Sequence, residues 1–158
     1  MFYLSQENEI LELKEKIAHY ERIIKTMSTP IIPSIVPKTI LMPIAGYMYK
    51  ERFENIETQT LQYIGEHKEV EHAIFDFTGV SVEHIEEFDY NDLAVSISQL
   101  NSSLRLMGIR PIYVGFNPKF IREIVHADLH VNIETYKNFR EALNHLLAEA
   151  NKTITSKY

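Results

Sequence analysis

STPIIPSIVPKTILMPIAG, residues Ser28 to Gly46, decides how this chain is read. Pro30 cannot continue a helix and biases Thr29 toward extended backbone, so any helix before the stretch ends here. Pro33, Pro37 and Pro43 restrict the backbone from there to Ile44. Ile31 to Val36 reads as a short edge strand or extended segment, and Thr39 to Ile44 as the next strand. The stretch therefore closes a helix, places a hinge or linker at residues 28–30, and opens an alternating α/β pattern with no cluster of catalytic side chains. That combination points to a signalling module rather than an enzyme.

On the N-terminal side, Ile10, Leu13, Ile17, Tyr20, Ile24 and Met27 recur at alternating three- and four-residue steps. This is the a/d spacing of a coiled coil, with Glu12, Lys14, Glu15, Lys16, Glu21 and Arg22 on the other faces. Residues 1–27 thus read as an amphipathic linker helix whose six apolar positions form a dimer seam. A seam this short is marginal in isolation, so the globular domains would have to help hold two copies together. β-branched Ile at the a positions suits parallel two-stranded packing. The competing expectation is that the stripe packs back on its own domain.

On the C-terminal side, residues 50–67 carry Phe53, Ile56, Leu61, Tyr63 and Ile64 on a helical face ended by Gly65. Ala73 to Phe77 reads as a buried strand closed by Thr78 and Gly79. Leu93, Ile97, Leu100 and Leu104 define another helix, stopped by Gly108. Ile112 to Phe116 is a further buried strand, and Phe120, Ile121, Ile124 and Val125 make one helical face. Val131 to Ile133 adds a short strand, Phe139, Leu143 and Leu146 mark a last helix, and residues 151–158 read as a disordered tail. Strands that alternate with helices need crossover connections. The expected class is therefore α/β: a mostly parallel sheet of about four to five strands covered by helices, with one antiparallel edge.

Composition removes several function classes. The chain has 158 residues and 45% hydrophobic content, enough for one core plus an appendage. Twenty-two acidic residues against sixteen basic ones give a net charge of −6, with no local Lys/Arg run, so nucleic acid is not an expected partner. The absence of cysteine rules out disulfides, thiolate nucleophiles and thiolate metal sites. No run approaches the roughly 20 apolar residues of a membrane span, and the N-terminus turns charged before a signal core could form. A cytoplasmic protein that does not engage membranes is expected.

Motifs that carry chemistry are mainly absent from the sequence. Neither GxGxxG nor GxxxxGK[ST] occurs among the five glycines. The strand TILMPIAG ends without the acidic pair that phosphorylation of Asp76 would need. His126 and His130 have a metal-ligand spacing but no evident third ligand. Glu83, Glu86, Glu87, Asp89 and Asp92, around His84, lack the glycine and regular spacing of a calcium loop and read as a solvated acidic loop. No G-x-S-x-G elbow frames any serine. No catalytic residue, metal or cofactor is expected.

Four stretches carry a resemblance to a known family: STPIIP from Ser28, LMPIAG from Leu41, DFTGV from Asp76, and GIRPIYVGFNPKFIREIV from Gly108. In this order, following a helical linker, they are similar to STAS domains, and within that superfamily to stressosome scaffold and co-antagonist proteins of the RsbR type. The resemblance runs from Ser28 to Leu147 and implies a STAS domain over residues 28–150. It further implies a non-enzymatic regulator in a general stress, sigma-factor partner-switching pathway. Such a protein forms a homodimer, assembles with STAS paralogues, and sequesters a serine/threonine switch kinase.

The resemblance also points to positions. One family phosphosite falls near Tyr90 and Asn91, where no serine or threonine stands; Asn91 would cap the following helix instead. The second falls on Glu123, whose single negative charge partly imitates a phosphate. Thr78 and Gly79, in the DFTGV stretch, are expected at the docking surface, with Thr78 satisfying backbone groups at the strand end. An alternative function is a small-ligand or nucleotide sensor using a pocket beside Thr78, Gly79 and Val80.

Overall fold

The computed structural model describes residues 1–80, 89–126 and 132–155. The elements run α1 (Phe2–Met27), β1 (Ile32–Pro33), β2 (Thr39–Ala45), α2 (Lys50–Glu66), β3 (His72–Gly79), α3 (Tyr90–Leu106), β4 (Arg110–Val114), α4 (Pro118–His126), β5 (Glu134–Tyr136) and α5 (Phe139–Thr155). The five strands lie side by side in sequence order. β1 is antiparallel to β2, and β2 through β5 are parallel. This is the α/β sheet with one antiparallel edge that the alternation predicts.

Side-chain alternation along the strands sorts the core into two layers. Ala73, Phe75 and Phe77 of β3 join Ile40, Met42 and Ile44 of β2 against Phe53 and Ile56 of α2 and Leu93, Ile97, Leu100 and Leu104 of α3. Ile74, Ile112 and Val114 point the other way, onto Ala142 and Leu146 of α5. The middle strands are buried on both faces and so read as continuous apolar runs rather than alternating ones.

Outside these layers α1 stands apart. None of its residues is buried, and the six seam residues keep between 52% and 73% of their surface exposed. The stripe does not pack back on its own domain.

Several local expectations need correction. Gly65 does not end α2, which continues to Glu66 and stops at His67, whose ring stacks on Tyr63 at 3.9 Å. The last strand is Glu134–Tyr136, not 131–133, because pairing with Ile112 and Val114 places Glu134 and Tyr136 opposite them. Ile133 packs instead against the α2/α3-side core, and Val131 lies outside the described residues. On α4, Phe120 is buried while Ile121 and Val125 are exposed.

The expected disordered tail begins too early as well. α5 extends to Thr155, since no glycine or proline interrupts it after Leu147 and each added residue gains a hydrogen bond. Residues 156–158 lie outside the described residues.

An ion-pair cluster fastens β5 and α5 to the sheet. Arg110 on β4 donates from Nε and Nη2 to the two carboxylate oxygens of Glu134, at 2.7 Å each, and from Nη1 to Glu149 of α5 at 2.6 Å. Tyr136 donates to Glu134 at 2.8 Å, and His145 contacts Glu149 at 2.8 Å. Burial works to raise the Glu134 carboxyl, but the bonds from Arg110 and Tyr136 outweigh it and hold it below the usual carboxylate range. Burial, then the Glu134 contact, pushes the Tyr136 phenol up to about 12.

Candidate functional site

Of the predicted positions, Thr78 and Gly79 end β3, Asn91 lies in the first turn of α3, and Glu123 lies in the second half of α4, within electrostatic reach of Tyr90. β3 ends in a turn made by its own side chains: the Asp76 carboxylate accepts the Thr78 backbone N–H at 2.9 Å and the Thr78 hydroxyl at 2.5 Å. The Thr78 hydroxyl therefore serves a carboxylate rather than backbone groups, contrary to expectation. An Asp two residues back competes better for it than a neutral carbonyl.

The strand ends close tightly on one another. A Cβ on Gly79 would lie 2.7 Å from Ala45 Cβ, and the Gly79 carbonyl accepts the Gly46 N–H at 3.1 Å. A Cβ on Gly115, which has φ +75°, would lie 2.2 Å from Thr78 Oγ1. Only glycine permits this approach and this backbone. Among the described residues, the cavity next to Val80, lined by Phe77, Leu93, Gly115, Phe116 and Phe120, holds about 20 Å³. Ligand pockets run to roughly 300–1,000 Å³. Among the described residues, the space beside Thr78, Gly79 and Val80 is therefore far smaller than a nucleotide.

α3 starts on Asp89. Its side chain accepts the Asn91 N–H at 3.2 Å, so Asp89 is the cap and Asn91 an exposed second-position helical residue. A cap must precede the first helical turn, and Asn91 lies within it, so Asn91 does not cap α3.

Tyr90, between them, is a residue that spacing and composition did not single out. Its ring packs on Phe120 at 5.7 Å, Phe120 on Phe116 at 4.9 Å, and Phe116 on Phe77 at 5.0 Å. A line of aromatic rings thus joins the end of β3 to the start of α3. The Tyr90 hydroxyl is buried and has no hydrogen-bond partner among the described residues. Burial, and then the negative charge of Glu123, raises this phenol above its ordinary range. α4 therefore brings exposed Glu123 into the electrostatic neighbourhood of the α3 start, flanked by exposed Ile121 and Val125. An aromatic residue directly after a capping Asp was the available signal for Tyr90.

Of the five carboxylates in the acidic loop, Asp89 and Asp92 are placed; Glu83, Glu86 and Glu87, with His84, lie outside the described residues, as does His130. His126 is exposed at the end of α4. Among the described residues, no group of three metal-ligating side chains converges, and no helix is long and apolar enough to cross a membrane.

A second region lies where α1 meets the domain. Ser28 is buried, its hydroxyl donating to the Lys25 carbonyl at 2.9 Å and accepting from Asn55 Nδ2 of α2, also at 2.9 Å. The junction expected to be a hinge is thus latched, because a buried hydroxyl needs its partners. Two adjoining clefts of about 590 and 580 Å³ flank the latch and share Ile24, Ser28, Tyr49 and Arg52. The Arg52 guanidinium is tied to the carbonyls of Ala45, at 2.6 Å, and Tyr47. Its Nε is buried without a partner among the described residues, and desolvation lowers its proton affinity.

Comparison with known proteins places this geometry. The chain is 26% identical over 134 residues to a blue-light photoreceptor of Listeria monocytogenes, covering 84% of this chain and 48% of that protein. A blue-light photoreceptor of Listeria innocua is likewise 26% identical over 141 residues, covering 88% and 51%. The chain spans about half the length of the curated relatives it matches. A Ser-to-Glu variant of RsbS from Moorella thermoacetica has a TM-score of 0.62 at 14% identity, covering 78% of this chain and 97% of that one. A structure of the stressosome, described as a signal integration and transduction hub, has a TM-score of 0.53 at 14% identity, covering 77% and 98%. No family model matches the chain. The fold is that of a STAS domain, carried behind an N-terminal helix.

Proposed function

We propose that this chain is a non-enzymatic regulatory STAS module that works by docking, as a stressosome-type scaffold or antagonist in a general stress, sigma-factor partner-switching pathway. It forms a homodimer through α1, joins STAS paralogues in a cytoplasmic assembly, and engages a serine/threonine switch kinase without being its substrate at Asn91 or Glu123. The observation that carries this reading is the match of one continuous domain to 97% of the RsbS chain. The start of α3 supports the second half: it offers the kinase a half-buried tyrosine and an asparagine, not a serine or threonine. The tightness of the strand ends favours docking over small-ligand sensing at that end.

The test is light-scattering mass, measured alone and after mixing with a STAS scaffold from the same organism. A dimer that moves into a much larger species supports the scaffold reading. A dimer that ignores the scaffold overturns it. Incubation with the cognate switch kinase and labelled ATP tests the second half: the chain stays unlabelled, and Asn91→Ser or Glu123→Thr gains label.

A further inference from the structure

The charges flanking the α1 seam carry more than dimerisation. With Ile10, Ile17 and Ile24 at the a positions, Glu9 and Lys16 occupy g, and Lys14 and Glu21 occupy e. In a parallel, in-register pair each g residue faces the e residue five positions on in the other helix. Glu9 then meets Lys14 of a second copy, and Lys16 meets its Glu21. All four charges are matched, on both sides of the seam. Antiparallel alignment of the same apolar stripe keeps only the contact between Lys14 and Glu21 and leaves Glu9 and Lys16 without opposite charges.

The seam also does not stop at Met27. Ile24 and Met27, its last a and d positions, line the 580 Å³ cleft whose other walls are Ala45, Tyr47, Tyr49 and Arg52. Tyr47 is 62% exposed there, beside the Arg52 guanidinium that donates to its carbonyl. A second helix seated on the seam in parallel register brings its own last turn to this cleft, because both helices then end at the same level.

We infer that α1 pairs in parallel and in register with α1 of a second copy, fixed by Glu9–Lys14 and Lys16–Glu21 contacts between copies, and that the second copy's last helical turn completes the cleft formed by α1 and the β2–α2 loop. This rests on the proposed homodimer and adds orientation, register and a composite site to it. A parallel pair joined this way places both domains at the same end of the coil, each latched to its helix through Asn55 and Ser28.

The chain has no cysteine, so single cysteines report orientation without background. Full-length Ile10→Cys and Met27→Cys variants are oxidised separately and as a mixture. Parallel register predicts that each variant links to itself. Links formed only between the two variants in the mixture would overturn the inference and leave the dimer standing. A monomer mass by light scattering at micromolar concentration would instead remove the dimer itself. Glu9→Lys should weaken dimerisation by about fivefold, since two exposed pairs are lost per dimer, and adding Lys14→Glu should restore it. Failure of the second change to rescue the first would also overturn the assigned register. Tyr47→Ser should weaken the dimer without altering the domain's own unfolding midpoint; an unchanged dimer would exclude the composite cleft.

Discussion

The side-chain amide of Asn55 on α2 donates a 2.9 Å hydrogen bond to the buried hydroxyl of Ser28 at the end of α1. The same amide reaches the Lys25 carbonyl and the Thr29 hydroxyl, each at 3.4 Å. One side chain on the domain thus holds the last turn of α1, a helix with no buried residue. These bonds tie the end of α1 to α2.

Asn55→Leu should release that turn. The expected cost is about 1–2 kcal/mol, because the Ser28 hydroxyl stays buried after losing its donor. Amide exchange at residues 25–29 should quicken more than in the sheet. Unchanged exchange there would mean that the latch does not hold α1.

Strand-end glycines give an ordered series. Gly115→Ala places a Cβ 2.2 Å from Thr78 Oγ1 and 2.6 Å from its backbone nitrogen, at φ +75°, and should cost at least about 3 kcal/mol. Gly108 has a similar φ of +77° but open space around it, so Gly108→Ala should cost only about 1 kcal/mol. Urea unfolding of both variants separates the steric contribution from the backbone one; equal losses would contradict the close packing of Thr78.

Tyr90→Phe keeps the aromatic line and removes a hydroxyl that is buried without a partner among the described residues. Stability should hold or rise by up to about 1 kcal/mol, whereas Tyr90→Ala should lower it by about 2 kcal/mol. A clear loss on Tyr90→Phe would show that the hydroxyl is paired in solution.

Stability should fall on acidification in two windows. Burial, reinforced by the charge of Arg110, lowers the His72 proton affinity, so the folded state binds fewer protons than the unfolded one just below the ordinary value of about 6.5. Stability is full above that value and declines beneath it, and His72→Gln should abolish this first decline. Glu134 and Glu149 have depressed carboxyls, so their contribution is present above the ordinary value of 4.5 and is lost as pH falls through the lower folded values. Arg110→Met should cost about 2 kcal/mol near neutrality, the pairs being partly exposed, and should flatten that second decline. Urea midpoints measured from about pH 8 to pH 3 check both.

Much of the fold was legible because period and punctuation agree along this chain. The prolines at 30, 33, 37 and 43 marked the end of α1 and the short edge strand, and the helical runs around Phe53 and Leu93 matched the buried faces of α2 and α3. Boundaries failed where a long-range partner overrides local pattern. β5 is fixed by pairing with β4 and by the Arg110–Glu134 contact, neither of which leaves a trace in the sequence around Val131. α5 runs on because nothing in the sequence after Leu147 stops it.

The candidate site divides the same way. That α1 carries an apolar seam with matched flanking charges, and that serine and threonine are missing from residues 90–92, are matters of spacing and residue type, legible before any coordinates. Packing was needed to settle that Asp89 caps α3, that Tyr90 joins an aromatic line reaching Phe77, that Thr78 is held by Asp76 against Gly115, and that Asn55 latches Ser28. Each of these depends on groups that folding brings together from separate elements or fixes at a helix or strand end. Which of several competing donors and acceptors is satisfied there depends on distances of a few tenths of an ångström, and those distances are set by the assembled core rather than by local sequence.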